Sequence, residues 1–394
     1  MTSPRVHTID ALRGIALFGI LAVNIQSASW SIGGPTLGQF DEMTTTLDRV
    51  ALLFIAFFLE FKFYPIFCFC FGYGFAVQTR KWMLRGQDAG ALFVSRLTFM
   101  LLFGIFHGLF LWFGDILARY ALTGFILRYY LRDGPRKLIR AIKIWAVLTV
   151  VATLLLGGLI SVATISPDEL ANMNATLMTE IAAAKTIYTG GNYVDVTRQR
   201  ASDFAAITAS FIYIVPQIML LFLLGALTAQ MGWLKVSQQC PRRHHRLLKR
   251  IFIFTFVVGL PINIAYTMKA WAIAHSFTIE TSMFDLFVST LAPVFAFAYM
   301  AGLALIASTG VGKTQIALFA PAGKIALTNY VFQSLAMSFL LYGYGFGLGA
   351  RLRQGELLLL AIAIFVCQLA LSHLYLRVFR QGPLEWVWRR WTNA

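Results

Sequence analysis

Long apolar runs recur along this chain and are separated by short polar segments. A helix needs about 20 apolar residues to cross a bilayer core of roughly 30 Å, and most of the runs reach that length. The pattern therefore predicts an all-α integral membrane protein, a bundle of about ten transmembrane helices. The predicted spans are residues 9–28, 48–75, 92–113, 115–131, 143–164, 204–230, 250–273, 283–308, 316–341 and 356–378.

The longest segment outside these spans separates the fifth from the sixth. It opens with Ser166-Pro167-Asp168-Glu169, which reads as an N-cap, a proline at the first helical position and a glutamate that closes a capping box. We expect an external helix from there to about Ile187, ended near Gly190-Gly191. No Pro/Ser-rich linker and no repeat of 20–50 residues interrupts the chain. It is therefore predicted to form a single transmembrane domain over residues 1–394, with an N-terminal four-helix part (9–131) and a C-terminal part (143–394).

Composition and charge agree with a membrane location. The chain has 394 residues, of which 58% are hydrophobic and 13% charged, whereas a soluble domain is about a quarter charged. The net charge of +16 suggests nucleic acid at first. However, 23 lysines and arginines fall on one set of alternate junctions and only seven on the other. This asymmetry predicts that both termini are cytoplasmic, that anionic lipids are partners, and that nucleic acid is not.

The four cysteines, Cys68, Cys70, Cys240 and Cys367, have no spacing that indicates a metal site. We read them as small packing residues. No metal is expected.

Charged groups within a bilayer are costly and usually face a partner or a wet cavity. On the first span Asp10 and Arg13 lie one helical turn apart and can pair. On the same span Asn24 is either a helix–helix contact or a ligand group. Glu60 and Lys62 lie in the second span, followed by Pro65, which is expected to bend that helix.

The sharpest cluster is His107, Asp115 and Arg119. The turn at Gly114 is so short that the third and fourth spans must be antiparallel neighbours, which returns Asp115 to the helix end bearing His107. A histidine held by a carboxylate is a common general base. The structural alternative is an interhelical hydrogen bond together with an Asp115–Arg119 ion pair.

A further polar group, Lys324, Asn329 and Gln333, lies on the ninth span. Asn329 and Gln333 are four residues apart and share a helix face. Spacing alone leaves open whether they line a cavity or hold two helices together.

Three blocks of this sequence resemble the YeiB (DUF418) family of bacterial membrane proteins. They run from Arg5 to Asn24 (beginning RVHTIDALRGIA), from Arg96 to Ala121 (containing GIFH and GDIL) and from Gly323 to Ser334 (GKIALTNY, then QS). The resemblance covers nearly the whole chain. It implies a bacterial cytoplasmic (inner) membrane protein whose region 143–394 is DUF418-like. More distantly, the chain is similar to the transmembrane acyltransferases, namely the acyltransferase-3 group and heparan glucosaminide N-acetyltransferase.

This second resemblance implies an enzyme that moves an acyl group from cytosolic acyl-CoA to an acceptor on the extracytoplasmic side. Acetyl-CoA is the expected co-substrate, and a small molecule or glycan the expected acceptor. His107 would then be the base and Asp115 would orient it, while Asn24 or Asn329 would steady the thioester oxygen. The residues expected to bind substrate or cofactor are Asp10, Arg13, Glu60, Lys62, Arg80, Arg119, Lys324, Asn329 and Gln333.

Two alternatives from other functional classes stay open. One is a small-molecule transporter that uses the same intramembrane charges. The other is a lipid- or quinone-binding protein without catalysis, which the phenylalanine-rich second span favours. A homodimer is also left open.

Overall fold

The computed structural model describes residues 7–28, 45–130, 132–162, 166–232, 241–272 and 278–393. Within these ranges the chain is helical, and no strand is present. The α-helices in chain order are α1 (His7–Ser27), α2 (Thr46–Phe54), α3 (Phe63–Leu84), α4 (Ala89–Phe110), α5 (Leu117–Leu127), α6 (Pro135–Val162), α7 (Pro167–Gly190), α8 (Tyr193–Ala209), α9 (Val215–Gln230), α10 (Pro241–Ala272), α11 (Ile279–Leu291), α12 (Pro293–Ala307), α13 (Gly310–Ala317), α14 (Ala320–Lys324), α15 (Ala326–Leu341), α16 (Gln354–Val378) and α17 (Pro383–Asn393).

Seven helical stretches in the described residues are long and apolar enough to cross a membrane. They are Thr8–Ser27, Thr46–Leu84, Ala89–Phe110, Pro135–Ser161, Arg242–Ala270, Glu280–Ala307 and Gln354–Val378, and the bent pair of α8 and α9 gives an eighth if it is one span. The chain is therefore an all-helical, multi-pass membrane protein. Our count of about ten also included α5 and α15, which are shorter apolar helices. With 11 residues α5 is only about 16 Å long, half of a bilayer core.

The second predicted span is broken rather than continuous. After α2 the chain forms a π-helical turn, Ile55–Leu59, and α3 begins only at Phe63. Between them Phe61 has a φ of 60°, a left-handed conformation that is unusual for a bulky residue. Pro65, which we expected to bend this span, instead lies in the first turn of α3. There its missing N–H costs nothing, because the first N–H groups of a helix have no intrahelical partner.

Proline also marks two other interruptions of predicted spans. The span predicted over 204–230 is bent by 68° between α8 and α9, and α9 has a proline in its first turn. The span predicted over 283–308 divides into α11 and α12, and Pro293 begins the second helix. In both cases a new helix starts where the chain lacks a backbone donor.

Close helix contacts fix α1 at the centre of the bundle. A methyl group at Gly14 would overlap the backbone of Phe319, and one at Gly323 would overlap the backbone of Asp10. At its other end α1 is tied to the start of α16, because the Gln26 amide donates to the carbonyl oxygen of Gln354. These contacts set which face of α1 is enclosed and which end of each neighbour lies beside it.

The C-terminal helix α17 closes one end of the bundle. Glu385 accepts hydrogen bonds from the backbone N–H groups of Leu327 and Thr328 and from the Thr328 hydroxyl. A carboxylate at this position satisfies unpaired N–H groups and complements the dipole of α15. Trp388 of the same helix donates to the carbonyl oxygen of Arg96, and the Arg96 guanidinium lies 3.7 Å from the Trp388 ring centroid.

The helix predicted between the fifth and sixth spans forms with the expected ends. Ser166 and Glu169 form the reciprocal capping box, Pro167 begins α7, and the helix ends at Gly190. The next helix, α8, packs beside it, and the Tyr188 hydroxyl donates to Asp203 at 2.6 Å. The buried Arg200 donates to the carbonyl oxygen of Leu109, which ties this pair to the end of α4.

Candidate functional site

The sequence-predicted pair of His107 and Asp115 is formed. His107 Nδ1 lies 2.9 Å from Asp115 Oδ1, and neither side chain is exposed. His107 is in the last turn of α4, and the chain reverses between Phe110 and Leu117, so the two residues meet across a tight turn. Neither atom has an aligned hydrogen-bond partner among the described residues. The two atoms therefore lie in close contact without the alignment of a linear hydrogen bond.

A glycine permits this approach. A methyl group at Gly104, one turn before His107, would overlap the backbone of Ala118 and crowd the Asp115 carboxylate. The other oxygen of that carboxylate accepts a 2.7 Å hydrogen bond from the Ala118 N–H, so Asp115 also caps the start of α5. The short turn and the glycine together hold Asp115 against the imidazole.

Sequence reasoning missed the second partner of His107. Its Nε2 lies 2.9 Å from the Ser334 hydroxyl on α15, a residue 227 positions away in the chain. The Tyr330 ring lies 5.0 Å from the imidazole on the same helix. Ser334 is one residue after the predicted Gln333, but nothing in the local sequence marks it as a partner of a histidine. Both ring nitrogens are thus in contact with polar groups of the protein.

Arg119 does not form the ion pair that we named as the structural alternative. Its Nε donates to the main-chain carbonyl oxygen of Asp115 at 2.8 Å, which leaves the carboxylate to His107. Within the described ranges, no salt bridge involves Arg119. Arg119 is half-buried and lines a cavity.

This cavity has a volume of about 450 Å³ and lies at the end of the bundle that holds the turn after α4. Asn24 and Arg119 both line it, and Asn24 has no hydrogen bond to the described residues. Gly114 and Ile116, on either side of Asp115, form part of the wall. The side chains of His107 and Asp115 lie behind this wall and do not line the cavity. The volume is in the range typical of small-molecule sites.

Hydroxyl and aromatic groups form another part of the cavity lining. The Tyr64 hydroxyl donates to Gln217 at 2.8 Å, and the Gln217 amide donates to main-chain oxygens at the end of α11. Thr153 and Thr290 exchange a 2.9 Å hydrogen bond across the same wall. These hydrogen bonds fix the positions of the Tyr64, Gln217, Thr153 and Thr290 side chains in the cavity lining.

Glu60 and Lys62 do not pair with each other. Lys62 is fully buried and donates to the carbonyl oxygen of Ala56 at 2.7 Å, inside the π-helical turn. Glu60 lies beside the hydroxyl of Tyr266. Phe61, between the two charges, lines the cavity, so this break in the helix contributes a wall rather than a charged group.

The remaining predicted binding residues lie elsewhere. Asp10 and Arg13 pair at 3.6 Å, as expected, and Arg13 also donates to the carbonyl oxygen of Cys70. Lys324 ends α14, whose Gly323 packs on the backbone of Asp10, so it lies at this same end of the bundle. Arg80 is exposed near the end of α3. None of these residues lines the cavity beside His107.

Asn329 and Gln333 connect helices. Asn329 donates to the carbonyl oxygen of Ala322 and to the Ser372 hydroxyl. Gln333 donates to Gln368 at 2.8 Å, and Gln368 donates in turn to the carbonyl oxygen of Asn329. Of the two readings left open by spacing, this geometry favours a network that joins α15 to α16. It also removes Asn329 from the groups available to steady a thioester oxygen.

The cysteines are consistent with packing roles where they can be assessed. Cys68 and Cys70 are buried free thiols, and Cys367 is an exposed free thiol. Cys240 lies outside the described residues. Within those ranges, no group of three or more histidine, cysteine, aspartate or glutamate residues is arranged to hold a metal ion.

Comparison with known proteins gives the family. Residues 228–394 match the family described as "Protein of unknown function (DUF418)". The chain is 30% identical to the "Uncharacterized protein YxaH" of Bacillus subtilis (strain 168), over 99% of this chain and 94% of that protein. It is 29% identical to the "Uncharacterized protein YeiB" of Escherichia coli (strain K12), over 98% of this chain and 95% of that protein. A similarity of this extent, from end to end of both chains, places the protein in the YeiB/DUF418 family of membrane proteins.

Proposed function

We propose that this protein is a membrane-bound acyltransferase that takes an acyl group from acyl-CoA and delivers it to a hydroxyl or amine acceptor. The observation that carries the proposal is the juxtaposition of a cavity lined by Asn24 and Arg119 with the buried pair of His107 and Asp115 directly behind its wall. Acyl transfer requires hydrogen-bond donors for the thioester oxygen and a base for the acceptor. Asn24 and Arg119 can supply the donors, and the imidazole of His107 can supply the base.

In the proposed reaction the acceptor oxygen or nitrogen attacks the thioester carbon, and the carbon–sulfur bond breaks. Arg119 and the Asn24 amide stabilise the negative charge that develops on the thioester oxygen. His107 receives the acceptor proton and returns it to the departing thiolate, while Asp115 stabilises the imidazolium. The wall at Gly114 and Ile116 separates the imidazole from the cavity. Catalytic contacts often tighten only when substrate is bound. We therefore propose that this wall moves when the substrate binds, which brings the imidazole to the acceptor.

The orientation in the membrane is part of the proposal. We infer that the protein lies in a bacterial cytoplasmic membrane with both termini in the cytoplasm, so that the cavity opens towards the extracytoplasmic side. The charge asymmetry of the junctions supports this orientation, and both named relatives are bacterial. Acetyl-CoA would then enter from the cytoplasmic side, and the acceptor would be a small molecule or a glycan. The orientation is tested by fusing to the C-terminus a reporter that is active only in the cytoplasm; the proposal predicts an active fusion.

The activity is tested with inverted membrane vesicles that contain the protein. Acetyl-CoA with a labelled acetyl group is added outside, and label that becomes protected inside the vesicles in a non-thioester linkage is measured. His107→Gln is expected to lower the transfer by about 100-fold or more, the contribution of a general base. His245→Ala is the matched control, because His245 is exposed on another helix. Absence of transfer by the folded wild-type protein, or full transfer by His107→Gln, would overturn the proposal.

A second candidate, uptake of a small molecule, is favoured by one observation. The cavity is lined by Phe61, at the break between α2 and α3, and by Ile214, at the bend between α8 and α9. Interrupted helices around a central site are typical of transporters. Uptake into proteoliposomes that survives His107→Gln and is lost in Asn24→Leu would support this candidate over acyl transfer.

A further inference from the structure

A second cavity lies at the opposite end of the bundle, between the end of α16 and the start of α17. It has a volume of about 550 Å³ and is lined by Tyr375, Phe379, Arg380, Gln381, Gly382, Trp386 and Arg389. The rings of Tyr375 and Phe379 stack with their centroids 4.6 Å apart and form one side. The cavity therefore combines a rigid aromatic surface with two guanidinium groups.

The positive charge of this cavity is not neutralised from within. No acidic residue is among those that line it. The carboxylate nearest in sequence, Glu385, lies beside Gly382 and uses both oxygens to cap α15, so it offsets only part of the charge of the two arginines. Arg380 and Arg389 are both exposed. Two arginines beside an aromatic surface are suited to a phosphate group, which their planar donors can bind at two points.

The surroundings place this cavity at a membrane boundary. The last turns of α16 expose Leu374 (55%) and Val378 (77%), as expected of a surface that faces lipid. After the segment that joins α16 to α17, Trp388 of α17 faces inward and donates to the carbonyl oxygen of Arg96. Trp386 and Trp391 of the same helix have exposed fractions of 49% and 47%. Exposed tryptophans with arginines on a short helix are typical of an interfacial helix at headgroup level.

We propose that Arg380 and Arg389 bind the phosphate of an anionic phospholipid, whose acyl chains lie along the exposed faces of Phe379, Val378 and Trp386. The site is independent of acyl transfer, since neither arginine touches the cavity beside His107. Its occupant would hold α17 in place, and α17 in turn caps α15, the helix that carries Ser334.

The proposal is tested by titrating the detergent-purified protein with phosphatidylglycerol, phosphatidylcholine or free coenzyme A, and counting retained lipid by native mass spectrometry. Wild-type protein is expected to retain phosphatidylglycerol saturably and more tightly than phosphatidylcholine. The double variant Arg380→Gln/Arg389→Gln should bind phosphatidylglycerol at least about tenfold more weakly, the loss expected for one charge-assisted hydrogen bond. Arg377→Gln is the matched control, because Arg377 is exposed at the same helix end but lies outside the cavity.

Three outcomes would overturn the proposal. One is equal retention of the two lipids by the wild-type protein, and another is unchanged phosphatidylglycerol binding in the double variant. The third is saturable binding of coenzyme A, but not of phosphatidylglycerol, through the same two arginines, which would assign the cavity to a soluble phosphate ligand. The charge-preserving variant Arg380→Lys/Arg389→Lys shows whether any loss reflects charge rather than folding, since it should keep part of the binding.

Discussion

Arg119 binds Asp115 through the main chain: its Nε donates to the carbonyl oxygen of Asp115, not to the carboxylate. The carboxylate stays beside His107, at 2.9 Å. Arg119 thus stabilises the turn that carries Asp115. It also lines the cavity, and its other N–H groups are not used by this hydrogen bond. Removal of Arg119 should therefore affect substrate binding and the geometry of the pair at the same time.

We expect Arg119→Gln to lower acyl transfer by about 100-fold or more, because the loss of one donor to a developing oxyanion costs that much. Arg119→Lys keeps the charge but not the planar donor, and it should recover only part of the rate. The measurement is labelled acetyl transfer in inverted vesicles. Thr149→Ser, a conservative change elsewhere in the cavity lining, is the control. Equal rates for all three variants would exclude Arg119 from the chemistry.

Gly104→Ala is expected to destabilise the fold by about 1–3 kcal/mol, the usual cost of overpacking. The new methyl group would meet the backbone of Ala118 and push α5 away from α4. Thermal unfolding in detergent measures the effect. Gly158→Ala on α6 is the matched control, because nothing lies within 4 Å of a methyl group there. This control should be neutral or stabilising by up to about 1 kcal/mol, the helix-propensity gain. A neutral result at Gly104 would show that α4 and α5 do not approach closely.

Gln333→Leu and Gln368→Leu should each destabilise the protein by about 0.6–2 kcal/mol, the range for hydrogen bonds between membrane helices. Gln333→Leu leaves the side-chain oxygen of Gln368 without its 2.8 Å donor, and Gln368→Leu leaves the Gln333 amide with only its 3.3 Å hydrogen bond to the carbonyl oxygen of Leu17. The double variant should lose less than the sum of the two, since removal of both partners leaves neither unpaired. Unfolding in mixed micelles provides this double-mutant cycle. Strict additivity would mean that the two amides are not coupled.

The cap of helix α7 should respond to pH. Hydrogen bonds from Ser166, first from its backbone N–H and then from its side chain, lower the pKa of Glu169 below its ordinary value of 4.5. A lowered pKa means that the stabilisation is complete above the unfolded value of 4.5 and is lost as the pH falls through the folded pKa. Amide hydrogen exchange in the first turn of α7 should therefore accelerate in that acidic window.

Glu169→Gln is the control for this prediction, because it retains an acceptor but has no titrating proton. Its exchange should not vary over the same pH range after correction for the intrinsic rate. If the wild-type protein and this variant respond equally, the cap is not the titrating element.

Much of the local structure could be read from the sequence. The capping box of Ser166 and Glu169 depends on residues three apart, and the helix that it begins ends at Gly190 as predicted. His107 and Asp115 are eight residues apart across a short turn between antiparallel helices, so their contact could also be predicted. Such pairs are fixed by the covalent reach of the chain.

The break in the second span could not be placed correctly. Pro65 suggested a bend at the proline, yet the interruption occurs at Phe61. The proline was compatible with two positions, inside a kinked helix or in the first turn of a new one. In the structure Pro65 lies in the first turn of α3, and Lys62, just before that helix, donates to Ala56 in the π-helical turn.

By itself the sequence determined that this protein is an all-helical, multi-pass membrane protein, because apolar length and the cost of an unpaired backbone in lipid leave few other solutions. It also determined the contacts between residues close in the chain. Only the tertiary structure decided that Ser334 meets His107, that Gln333 meets Gln368, and that Arg119 rather than His107 lines the cavity. In a bilayer every face of a helix can be apolar. Hydropathy therefore does not say which faces meet, and small residues and hydrogen bonds across the whole bundle make that choice.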